Sequence, residues 1–146
     1  MQYPNFYNKI ETIKLKDELS QTLGAFDDGV MEYNYLDVVK AAGHSCPTVA
    51  GAYIVTLVGL KRLYKDELPK RGEIKISFKD YSFQGTTGVI ANAVSQITGA
   101  TDTYGFKGLN GNFKRYGLMN FNQDIPAPIR LTRVDTKEYV DITYNP

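Results

Sequence analysis

The chain carries one histidine and one cysteine, and they stand two positions apart in the run Gly43-His44-Ser45-Cys46-Pro47. An imidazole nitrogen and a thiolate sulfur are both metal ligands, and a thiolate is also a nucleophile. The flanking residues favour such chemistry. Pro47 suits the first position of a helix, where its missing N–H would have no partner in any case. Cys46 then falls at or beside the N-cap, where free N–H groups and the helix dipole favour negative charge. A thiol there is expected to be partly thiolate. Gly43 lets the chain bend between two helices, so His44 can bring its ring to the same spot. The competing reading is a buried, inert thiol beside a half-buried histidine.

Two donors do not complete a zinc site, which takes four, or three and a water. The remaining ligands would have to be Asp, Glu, Tyr, water, or the same pair from a second copy of the chain related by a two-fold axis. A haem iron needs only one axial residue, His or thiolate, so haem is the alternative cofactor.

The elements that must position this pair read as helices first and strands later. Leu15, Leu19 and Leu23 recur at four-residue steps with Gly24 as a stop, and Asp27-Asp28-Gly29 is a turn. Tyr35 to Ala42 reads as a short helix ended by Gly43. From Pro47 to Tyr64 an apolar stripe runs through Val49, Tyr53, Leu57, Leu60 and Leu63, while Gly51 and Gly59 allow close approach. Ile74 to Phe78 alternates as a strand, and Thr86 to Thr98 is a third long helix with Thr86-Thr87 at its cap. Gly105 to Asn112 is a loop. Phe113 to Phe121, Ile129 to Val134 and Tyr139 to Tyr144 read as strands, the last two joined by a turn at Asp135-Thr136-Lys137. The expectation is a single α+β domain over 1–146, with helices packed on one face of a mostly antiparallel sheet.

The run Gly43-His44-Ser45-Cys46-Pro47, with Gly51 and the helix ending near Leu63, resembles the FmdE family, which takes its name from a component of molybdenum formylmethanofuran dehydrogenase. The likeness spans about residues 35 to 134. The family's second segment, of the type Cys-x-x-Asp-Ala-x-Gln, is similar to the stretch from Val89 to Gln96, followed by Thr98-Gly99-Ala100-Thr101. Its Gly-Lys-Gly-Asn-Leu pattern is similar to Leu109-Asn110-Gly111-Asn112-Phe113, and Tyr116-Gly117 matches the strand after it. The resemblance implies a metal-binding protein, often a zinc protein, with His44 and Cys46 as ligands. Val89 and Ala100 stand where family members have cysteines, and Asn92 where they have Asp. Those replacements imply a more apolar pocket, suited to a flatter cofactor such as haem or to a site that has lost tight zinc binding.

Other features point away from chemistry. Tyr33, Tyr35, Tyr53, Tyr64, Tyr81 and Tyr104 read first as aromatics at core edges. Asp37 stands seven residues before His44 and is more simply a solvated helix carboxylate than an orienting partner. The glycines of 105–112 match neither the dinucleotide fingerprint nor the P-loop. With 17 Lys and Arg against 16 Asp and Glu the net charge is +1, which gives no footprint for nucleic acid. A lone cysteine excludes an intramolecular disulfide, and no apolar run reaches membrane-spanning length. Together with the lack of a signal-peptide pattern after Met1, this reads as a soluble cytoplasmic protein.

The leading expectation is a metal- or metallocofactor-binding carrier, sensor or accessory factor, with His44 and Cys46 contributed by each half of a homodimer. One alternative is an enzyme using Cys46 as a thiolate nucleophile with His44 as its partner. The other is a non-catalytic interaction protein with a degenerate site.

Overall fold

A computed structural model describes residues 1–145. After a 3-10 turn at Asn5–Lys9 come strand β1 (Ile13–Lys16), helix α1 (Glu18–Thr22), strand β2 (Val30–Tyr33), and helices α2 (Tyr35–Ala42) and α3 (Pro47–Tyr64). Strand β3 (Ile74–Phe78), helix α4 (Thr87–Thr98) and strands β4 (Met119–Asn120), β5 (Ile129–Arg133) and β6 (Tyr139–Ile142) follow. The fold is α+β. β1 and β2 form an antiparallel hairpin, and a second sheet has the order β4-β3-β5-β6. Its β3–β5 and β5–β6 pairings are antiparallel; only β3–β4 is parallel.

Helix α3 is the centre of the fold. Val49, Tyr53, Leu60 and Tyr64 are almost wholly buried on it, so its apolar stripe faces the core as the periodicity implies. It lies against α2, α4, β5 and β6. Its small residues set the closeness of that packing. A Cβ at Gly59 would come within 2.8 Å of Ile142 Cδ1 and 2.9 Å of Leu131 Cδ2, and one at Gly51 would overlap the Tyr144 ring. A methyl at Gly59 would require those two side chains to shift, and one at Gly51 would displace the ring.

Two expected elements are replaced. The leucines at 15, 19 and 23 do not share a helix. Ile13 and Leu15 are buried while Lys14 between them is exposed, so this stretch has the two-residue period of a strand. The helix begins after Asp17, whose carboxylate accepts from the Ser20 amide as an N-cap, and α1 buries none of its residues. The expected strand from Phe113 to Phe121 shrinks to Met119–Asn120, because Phe113 (φ +65°) and Gly117 (φ +77°) leave the extended region and Arg115 turns inward. The turns at Asp27-Asp28-Gly29 and Asp135-Thr136-Lys137 are in place. At the first, Asp28 accepts from the Val30 amide, and at the second Asp135 accepts from the Thr136 amide.

The inward turn of Arg115 builds a cluster that the sequence did not announce. Asp17, 2 % exposed, accepts from Arg71 Nη1 at 3.0 Å and from Arg115 Nη2 at 2.8 Å. Arg71 also donates to the carbonyls of Gln96 and Ile97, the last turn of α4, where a cation is favoured.

Candidate functional site

α2 and α3 meet at the pentapeptide, and each side of the junction is fixed by local chemistry. Asn34 and Asp37 form a capping box at the start of α2, each side chain bonding the other's backbone amide. Asp37 is therefore occupied at the far end of α2 and does not orient His44. At the near end Gly43 adopts φ +81°, closing α2 with a left-handed residue. Cys46 is the N-cap of α3, with Pro47 at its first position.

Between these caps the backbone at Cys46 is extended, with φ −147° and ψ 170°. Ser45 supplies the fixed point beside it. Its hydroxyl lies 2.7 Å from the Tyr35 hydroxyl, and Tyr35 is buried. Ser45 is thus hooked to the core, while the His44 ring interacts with the Cys46 thiol. The variable position of the motif makes the hook, which residue type alone could not reveal.

The chemistry of the pair follows from this placement. The Cys46 thiol titrates below its ordinary value. The Val49 N–H at the head of α3 is the foremost cause; the His44 ring and the Thr48 N–H act in the same direction against some desolvation. None of these amides forms a full capping hydrogen bond with the sulfur, so the anion is favoured yet its lone pairs stay available. His44 is exposed, and its Nδ1 lies 3.2 Å from the Ala42 carbonyl oxygen. An Nδ1–H donating to that carbonyl leaves Nε2 with the lone pair, the arrangement that prepares an imidazole for a metal.

A cavity of about 180 Å³ opens beside His44, between α2 and α4. Val38, Ala41 and Ala42 form one wall; Val89, Asn92, Ala93 and Gln96 form the other. The segment from Val89 to Gln96, noted in the sequence as the second half of the motif, therefore faces the first half in space. Cys46 stands at the junction and is not part of the cavity lining. Ala100 is also elsewhere: it is fully buried in the core, so its small side chain does not enlarge this cavity. Of the six tyrosines weighed as pocket residues, Tyr35, Tyr53 and Tyr64 are core and Tyr81 and Tyr104 are exposed; Tyr33 is half-buried under the Arg71 guanidinium.

Among the described residues no group of three or more His, Cys, Asp or Glu side chains comes together around one point. The chain therefore offers a nitrogen and a sulfur donor and no third ligand of those types. No helix among those described is long and apolar enough to cross a membrane. Comparison with protein families, with curated proteins and with solved structures gives no match.

Proposed function

We propose that the chain is a metal-binding protein in which two copies share one transition-metal ion, zinc foremost, each copy giving His44 Nε2 and the Cys46 thiolate. The observation that carries this reading is the pairing of an exposed imidazole with a thiol favoured as its anion, at a junction that has no third donor of its own. Zinc in a closed site takes four N and S ligands, and a two-fold axis supplies two from each copy. The resemblance to the FmdE family rests on the same two residues, and the approach of the Val89–Gln96 segment to His44 supports it. The haem alternative fares less well. A cavity of about 180 Å³ is smaller than the several hundred Å³ typical of sites for larger organic ligands, so a macrocycle would have to lie across the surface.

Titration of the purified protein with zinc, followed by equilibrium sedimentation, tests the reading. One ion per two chains with a doubling of mass is expected, and both are lost in Cys46→Ala. Zinc bound by a monomer at one per chain, or no uptake at micromolar zinc, would refute it.

The lowered thiol pKa favours a second reading, in which Cys46 attacks an electrophilic substrate and His44 serves as its partner. Metal-free protein that is alkylated rapidly at neutral pH and stays monomeric with zinc would move the balance to that reading. Metal-free protein that is also unreactive leaves an interaction protein with a degenerate site.

A further inference from the structure

A second cavity, of about 130 Å³, lies on the other side of α3, enclosed by α3, α4 and the ends of β3, β5 and β6. Its body is apolar, with Val55 from α3, Ile90 from α4, Ile129 from β5 and Ile142 from β6. Tyr144 closes one end, its ring lying over Gly51 in the space a Cβ would fill. Asp80 and the threonines Thr48, Thr86 and Thr87 break this lining. Asp80, exposed two residues beyond β3, is the charged residue of the lining. Thr87, only 8 % exposed, also lines the cavity.

We propose that this cavity binds a small primary amine with an apolar body of about the size of a benzene ring. Dry cavities of similar volume, on the order of 150 Å³, accept benzene itself. An ammonium group is a donor only, with three N–H bonds to place, and the Asp80 carboxylate and the threonine hydroxyl oxygens of the lining can accept. The carboxylate also makes the choice of charge, since a carboxylate ligand of the same shape would meet Asp80 as a like charge. Neither His44 nor Cys46 lines this cavity, and amine binding there does not depend on metal.

Benzylamine is the probe, with toluene and benzoate as the neutral and anionic counterparts, read by calorimetry and by amide chemical shifts of the intact protein. Benzylamine should bind at millimolar concentration or tighter and shift resonances of Val55, Thr87 and Ile129; benzoate should not. Asp80→Asn, at an exposed position, should weaken benzylamine about 10-fold, as expected for loss of a charge-assisted hydrogen bond, and leave toluene unchanged. Thr87→Val, which keeps the volume, should weaken benzylamine several-fold. Ile90→Phe, which fills the cavity, should abolish binding of both. If benzylamine leaves those resonances in place, if benzoate binds as well, or if Asp80→Asn does not alter the affinity for benzylamine, the proposal is overturned. Since Asp80→Asn and Thr87→Val leave the apolar wall intact, they decide the matter even if Ile90→Phe does not fold.

Discussion

Cys46 and His44 act on each other through a few ångströms of exposed surface, and that coupling can be measured directly. The rate of alkylation by iodoacetamide against pH should give a midpoint below that of an unperturbed thiol. In His44→Gln the midpoint should move upward, because both the hydrogen bond and the charge of the ring are removed. A midpoint unchanged by that substitution would mean the two side chains do not communicate. Gly43 is a separate residue-scale constraint. Nothing stands within 4 Å of the position its Cβ would take, so any cost of Gly43→Ala is backbone strain at φ +81° rather than a clash. About 1–2 kcal/mol of destabilisation is expected in urea unfolding. Asp135 supplies the acid limit. The Arg133 guanidinium, which donates to both its oxygens, holds its carboxyl down at about 2. With the folded value below the unfolded one, this pair stabilises the fold above about pH 4 and is lost as pH falls from there towards 2. Asp135→Asn should flatten that part of the acid unfolding curve; an identical curve would show the pair to be inert.

Among the elements, the contact of α3 with the segment after β6 shows how two local preferences compete. A helix interior prefers Ala to Gly by roughly 0.5–1 kcal/mol, yet at Gly51 an added methyl would meet the Tyr144 ring. Gly51→Ala alone should therefore be neutral or destabilising, and in a Tyr144→Ala background it should become stabilising by about that preference. Equal effects in the two backgrounds would show that the ring does not press on the helix. The same competition explains what could be read from the sequence. Helices α2 and α3 were legible to the residue, and α4 to within one, because Asn34, Gly43, Pro47 and Gly99 mark their ends by local chemistry. The hairpin of β1 and β2 was not. Its strands have four residues each, too few for alternation to outweigh the accidental spacing of three leucines. At the site, residue type disclosed His44 and Cys46. The hook from Ser45 to Tyr35 and the wall of α4 are products of tertiary packing, and no local signal stands for them.

At the scale of the molecule, the Asp17 carboxylate with its two arginines is the tie that crosses the chain. It joins the N-cap of α1, the segment before β3 and the loop before β4. A buried charge deprived of its partner costs about 3–5 kcal/mol, a large part of the 5–15 kcal/mol that separates most folded domains from unfolded ones. Asp17→Ala, which leaves two largely buried guanidinium groups facing each other, should lower stability by that amount in chemical denaturation. A loss under about 1 kcal/mol would mean that water reaches the arginines and that the cluster is not a keystone. Gly72 belongs to the same cluster. The Arg115 guanidinium occupies the place of its missing side chain, so any larger residue there should displace the arginine and copy the defect.

The Asp17–Arg115 pair spans 98 residues of sequence. On a ribosome the acidic end of that bond emerges long before the basic end. Until position 115 has left the exit tunnel, Asp17 has only Arg71 to pair with, so the cluster cannot close its interior early. The domain should then dock late in synthesis, and released fragments that end before position 115 should remain open to protease.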